Sequence, residues 1–228
     1  MSKKFNHKWA ALPKLKQVNR QTGRKYETED GLESYPSITT VLGKTKDQTP
    51  IKKWRKRVGE ANANKISAMA TRRGTSMHKL CEQYLLNEKI DDDNFDGNLL
   101  FLGIKPHLER LDNVRALESR LISRKLSVAG TVDCIAEYDG ELAIIDFKTS
   151  SKPKKLEYIE DYLLQGAFYF TAYYELTGEL AKKITILISV QDGTVQTFEL
   201  KGKDIIEQVE KLKIRIKEYY YYESNMSE

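Results

Sequence analysis

Hydrophobic and polar positions alternate most regularly between residues 127 and 148, where SVAGTVDCIAEY and ELAIIDFK flank Asp139-Gly140. Period-two alternation predicts two strands. An Asp-Gly pair between them is the signature of a two-residue hairpin loop, because both loop residues adopt positive φ. The loop sets a register in which Tyr138 pairs with Glu141, Ile135 with Ile144, Asp133 with Asp146, and Thr131 with Lys148. Asp133, Asp146 and Lys148 then share one face. Residues 114–122, VRALESRLI, predict a preceding strand; a turn at Arg124-Lys125 pairs Glu118 with Thr131, diagonal to Asp133. Residues 184–190 and 194–200 predict a second hairpin around Asp192-Gly193.

Helical periodicity occupies most of the rest. Residues 1–36 are polar, with Thr22-Gly23 as a turn between short strands, and Tyr35–Leu42 opens a helix with hydroxyl caps. Thr49-Pro50 starts another, with Thr as N-cap and Pro at the first position. Arg72-Arg73-Gly74-Thr75 interrupts the pattern, so a new helix is expected over 76–88, capped by Thr75 or Ser76, with His78 and Glu82 one turn apart. The acidic run Asp91-Asp92-Asp93 lacks the ligand alternation of a calcium loop and reads as a linker. Helices follow over 98–112, Leu156–Leu176 (ended by Gly178) and 203–222, the last with Ile205, Val209, Leu212 and Ile216 as its core stripe.

Charge changes this picture. Residues 1–73 hold 18 Lys/Arg against 6 Asp/Glu, a balance of +12, whereas the whole chain is at +5, so the remaining 155 residues carry −7. A basic third on an acidic body suits a polyanionic partner, or else serves solubility. Lys52, Lys53, Arg55, Lys56 and Arg57 surround Trp54 on one helix, a mixture that suits single-stranded nucleic acid but also an ordinary solvated helix. No apolar run is long enough to span a bilayer, and no signal-peptide core is evident. Cys81 and Cys134 form no CxxC and read as free thiols of a reducing, cytoplasmic compartment. No repeats or low-complexity linkers appear, and one α/β domain is expected.

Chemistry converges on the first hairpin. Two carboxylates directly opposite on a sheet repel unless something compensates, and a hard divalent cation does so through the oxygen ligands that Mg²⁺ prefers. Lys148 lies two residues beyond the second aspartate. The plainer alternative is an exposed hairpin with an ordinary surface ion pair, which leaves His78, Gln165 and Tyr169 without a shared purpose.

Gly130-Thr131-x-Asp133, Asp146-Phe147-Lys148 and Gln165-x-x-x-Tyr169 together resemble the PD-(D/E)xK nuclease superfamily, in its RecB-like exonuclease branch. Arg73-Gly74-Thr75-x-x-His78 matches that branch's upstream histidine helix, and Glu118 matches the glutamate on the strand before the first aspartate. The segment Tyr35–Leu42 is similar to the start of the helical arch in mitochondrial genome-maintenance exonucleases and their phage relatives. The resemblance implies a mixed β-sheet flanked by helices, a restriction-endonuclease-like core over 74–228, with 1–73 adding strands and a basic helical arch to the same domain. It implies Mg²⁺ or Mn²⁺ held by His78, Asp133, Asp146 and the Phe147 carbonyl, with Glu118 as a further ligand, and Lys148 in catalysis. Lys52, Lys53, Trp54, Arg55, Lys56, Arg57, Arg73, Thr75, Gln165 and Tyr169 are expected to contact DNA, or, for the last two, to support Lys148. Four cysteine ligands for an iron–sulfur cluster do not exist in the chain, and it has no Gly-rich nucleotide loop ending in Gly-Lys-Ser/Thr. The expected function is degradation of single-stranded DNA from free ends by a monomer, in replication, recombination or repair and with proteins of those processes as partners, in the cytoplasm, or a host's cytoplasm for a phage protein. A duplex-end exonuclease, a structure-selective endonuclease and an inactive DNA-binding module are the alternatives.

Overall fold

The computed structural model describes residues 3–90 and 95–225, and the Asp91–Asp93 linker lies outside them. The centre is a five-stranded sheet in the order β4 (Leu111–Ser123), β5 (Val128–Tyr138), β6 (Glu141–Ser150), β7 (Lys183–Val190) and β8 (Val195–Lys201). Only β6 and β7 run parallel, so a crossover is required between them. Helix α5 (Glu160–Thr177), entered through a single 3₁₀ turn at Leu156–Tyr158, supplies it. Gly178, in the left-handed region, ends α5 as expected. Strand β7 reads KITILISV and is buried at every position, because helices cover both faces of the sheet there.

One layer consists of α1 (Ile38–Thr45), α5 and α6 (Lys203–Asn225), closing over Val132, Ile135, Ile144, Ile184 and Ile186. On the other face α3 (Glu60–Leu85) and α4 (Phe95–Leu108) bury Met77, Leu80, Ile104 and Leu108 against Cys134, Ile145 and Phe147. A separate three-stranded sheet, β1 (Leu15–Arg20), β2 (Gly23–Thr28) and β3 (Ser34–Pro36), packs Leu15 and Tyr26 on Ile122 and Ala129. Ser37 caps α1, its hydroxyl accepting the Thr40 N–H at 3.0 Å. No helix among the described residues is long and apolar enough to cross a membrane.

Four local expectations are corrected. Helix α3 runs unbroken through Arg72–Thr75: a mid-helix glycine costs about 1 kcal/mol relative to alanine, which the docking of Met77–Leu85 outweighs. Its first half, from Glu60 to Arg72, is exposed apart from Ala63, so with α2 (Thr49–Val58) it forms a projecting pair of helices hinged at Gly59, φ +83°. The N-cap position of helix α2 falls on Gln48 rather than Thr49, and the Gln48 side chain makes no capping hydrogen bond. Helix α4 lies three to four residues earlier than the periodicity suggested, and β4 is longer, starting three residues earlier and ending one later.

The fourth correction concerns register. The β4–β5 turn has four residues, Arg124–Ser127, because the Glu175 carboxylate on α5 accepts the N–H groups of Arg124 (2.9 Å) and Lys125 (3.3 Å). Arg120, not Glu118, therefore pairs with Thr131. Leu117 pairs with Cys134 and Ser119 with Val132, which sets Glu118, at φ +42°, level with Asp133.

Candidate active site

The β5–β6 ladder follows the expected register from Tyr138–Glu141 to Cys134–Ile145 and stops there. Asp133 and Asp146 are thus not a ladder pair. Instead the Asp133 carboxylate inserts where the next backbone bond would be, its Oδ2 accepting the Phe147 N–H at 2.7 Å. Oδ1 is left facing His78, 3.7 Å from Nδ1, and Glu118 Oε1 lies 3.5 Å from the same nitrogen. Ligand atoms of His78, Glu118 and Asp133 all fall within 4.8 Å of one another.

Asp146 is fully buried, and neither oxygen accepts a well-directed hydrogen bond from the described residues. Its close partner is the Lys148 ammonium, 2.5 Å from Oδ2, an ion pair without good hydrogen-bond angles. Burial pushes the Asp146 carboxyl up to about 6 despite the lysine, with Asp133 adding to the rise. Burial works against the charge on Lys148, but Asp146 and Asp133 outweigh it and raise its pKa, so it stays an ammonium at neutral pH. His78 keeps 27 % of its side chain exposed. Burial disfavours its charge, yet Asp133 and Glu118 prevail and raise it to about 9.

A cleft of about 390 Å³ opens beside these groups, lined also by Arg24, Tyr26, Ser37, Thr39, Thr131, Tyr162, Gln165 and Tyr169. Tyr169 is only 1 % exposed. Its hydroxyl donates to the Thr131 carbonyl at 2.5 Å and accepts from Gln165 Nε2 at 3.0 Å. It therefore fixes β5 at the wall of the cleft. Gly130 makes this possible, since a Cβ there would come within 2.9 Å of the Tyr169 ring.

Two aromatic members of the site were missed by sequence reasoning as site residues. Tyr162 lies one turn before Gln165 on α5, and the Lys148 ammonium sits 5.2 Å from its ring centroid; the i, i+3 spacing was the available signal. Tyr26 reaches over from the small sheet, its hydroxyl 2.9 Å from Thr131 Oγ1, and no local pattern announces so distant a contact.

The projecting helices stand differently. Lys52, Lys53, Lys56 and Arg57 are exposed and Trp54 is half-buried. Arg55 is engaged by Glu60 (2.9 and 2.5 Å) and Asn64 (2.5 Å). Arg73 is half-buried, while Thr75 lines the outer rim with Gly74, Lys79 and Glu82. Burial, with Glu118 nearby, raises the Glu82 carboxyl.

A mixed sheet whose strands part around a histidine, three carboxylates and a lysine defines a centre suited to a hard cation and a polyanion. Residues 98–219 match the sequence model of the PD-(D/E)XK nuclease superfamily, and the chain belongs to that superfamily. It is 33 % identical over 130 residues to human mitochondrial genome maintenance exonuclease 1, covering 52 % of this chain and 38 % of that protein. The mouse protein of the same name is 26 % identical over 210 residues, covering 85 % and 61 %. An ATP-dependent helicase/nuclease subunit from Clostridium beijerinckii is 31 % identical over 101 residues, which are 42 % of this chain and 8 % of that protein. The chain thus spans less than two thirds of the length of each of these relatives.

Proposed function

We propose that this protein is a divalent-metal-dependent DNA exonuclease that hydrolyses single-stranded DNA from its ends during replication, recombination or repair. The observation that carries the reading is the convergence of His78, Glu118 and Asp133 beside the buried Asp146–Lys148 pair. The donor set fits Mg²⁺ or Mn²⁺: Asp133 Oδ1 remains open while Oδ2 is held by Phe147, and the Asp146 oxygens lack well-directed hydrogen bonds. His78, Asp133, Asp146 and the Phe147 carbonyl would hold the ion, with Glu118 as a further ligand. The bound ion supplies an acidified water and charge neutralisation at the phosphate.

The chain's own groups do the rest. Lys148 remains charged and stabilises the negative charge that builds on the phosphoryl oxygens. Tyr162 and Gln165 bound the space through which its side chain reaches, and Tyr169 locks the strand that carries Asp133. The exposed cations of α2 attract the phosphate backbone, while the acidic body discourages binding elsewhere. The projection of α2 and α3 acts as an arch that admits a flexible strand and refuses a duplex.

The purified protein should degrade end-labelled linear single strands in Mg²⁺ or Mn²⁺, spare blunt duplex and closed single-stranded circles, and stop in EDTA. Asp133→Ala, Asp146→Ala and Lys148→Ala should each remove most turnover with the circular-dichroism spectrum intact. Cutting of circles at a comparable rate would rule out end dependence. Full activity without the two aspartates would remove the catalytic assignment.

A further inference from the structure

Residues 3–16 contain five lysines and no carboxylate. Lys4, Lys8, Lys14 and Lys16 are exposed. The segment runs as a strap along the open edge of β4: the Lys8 and Ala10 N–H groups donate to the Val114 and Arg115 carbonyls at 2.7 and 2.9 Å, and Val114 N–H donates back to Asn6. Further along, Arg120 donates to the Leu15 carbonyl. His7 is fixed too, its Nε2 lying 2.8 Å from the Leu85 carbonyl at the end of α3. On that ring rests Trp9, with centroids 4.7 Å apart and planes 8° from parallel. Trp9 is nevertheless 53 % exposed.

An indole is among the largest apolar surfaces a protein can bury, and this one is held open in a fixed orientation. Because the strap and the imidazole already immobilise it, little further ordering is needed when a flat partner binds. Beyond Trp9 the strap reaches Leu12–Leu15, which border a surface depression of about 520 Å³ together with Glu118, Ser119 and Arg120. Glu118 also borders the catalytic cleft. From the Val114 level to Glu118 is four residues of β4, at most about 13 Å at the usual strand rise, because the strand is irregular there; a few nucleotides bridge that distance.

We infer that Trp9 is a stacking platform for an unpaired base of a strand that passes the Glu118 side of the cleft, with the strap's lysines meeting its phosphates. The inference rests on the nuclease reading above and adds to it a base contact outside the cleft. A base inside a duplex has no free face to offer, so the strand is single where it meets Trp9. Stacking of this kind tolerates any base.

The chain has two tryptophans, Trp9 and Trp54, so Trp54→Phe leaves Trp9 as the sole indole reporter. This variant is titrated in EDTA with an oligo(dT) strand, and binding is followed separately by anisotropy of a dye-labelled copy. Trp9 emission should be quenched and should saturate with binding. In the otherwise unaltered chain, Trp9→Ala should weaken binding by about 5- to 150-fold, the usual range for loss of one base–aromatic stack, and Trp9→Tyr should restore most of it. Binding without quenching, or undiminished affinity in Trp9→Ala, would overturn the platform and leave the nuclease reading standing. Equal quenching by a blunt duplex would overturn the unpaired-base assignment. No binding of the strand by the unaltered chain would overturn both readings.

Discussion

At the scale of single residues, the site is a set of opposed ionisation preferences. Asp133, Glu118 and Asp146 surround two cations of the chain, His78 and Lys148, so the metal-free protein neutralises its own carboxylates. On the proposed ligand assignment, a proton on His78 occupies the place that the divalent ion would take, so ion binding would release it. His78 sits near 9 against its ordinary 6.5, and its contribution to stability is complete below pH 6.5 and lost as pH rises through 9. Asp146, raised from 3.8 to about 6, has the same sign: its contribution is complete below 3.8 and lost through 6. The midpoint of thermal unfolding in EDTA should therefore fall between pH 6.5 and 9, and the increment given by Mn²⁺ should grow over that window. His78→Gln should flatten both trends. A midpoint in EDTA that climbs across the window would contradict the assignment of charge to His78.

At the scale of elements, α2 offers the simplest separation of binding from chemistry. Lys52, Lys53 and Lys56 are exposed and belong to none of the ion pairs found among the described residues, whereas Arg55 is tied to Glu60 and Asn64. Replacing those three lysines with alanine should weaken single-strand binding. It should also lower the slope of log K against log[salt] by about 0.7 for each phosphate no longer neutralised, about 2 in all. Cleavage at saturating DNA should change little. A salt slope equal to that of the parent would mean that this helix faces away from the substrate.

At the scale of the whole molecule, the α5 crossover joins two jobs. It covers β7 as the parallel connection requires, and it carries Tyr162, Gln165 and Tyr169 to the cleft. Its approach to the sheet depends on Gly166, where a Cβ would overlap the Ile184 side chain. Gly166→Ala should destabilise the protein by about 1–3 kcal/mol, the usual cost of overpacking a dense core, as read by chemical denaturation. Unchanged stability would mean that helix and sheet can separate without loss.

Much of this protein was legible along the chain because the signals are local. Alternation and Asp139-Gly140 determined the β5–β6 hairpin and its register as far as Cys134–Ile145. The spacing of Asp146 and Lys148 on one strand, and of Gln165 and Tyr169 on one helix, placed those pairs together without reference to anything distant. What the sequence did not determine depended on contacts between remote segments. Glu175 on α5 lengthened the β4–β5 turn and so brought Glu118 level with Asp133. Docking of Met77–Leu85 carried α3 straight through Gly74. The two aspartates left the ladder because a side-chain carboxylate could satisfy the Phe147 N–H, and burial then paired Asp146 with Lys148. Tyr26 reached Thr131 only because the small sheet packs on the turn end of β4–β5. Local propensity fixes which residues alternate or coil; burial and hydrogen-bond satisfaction, set by the rest of the molecule, decide which of them meet.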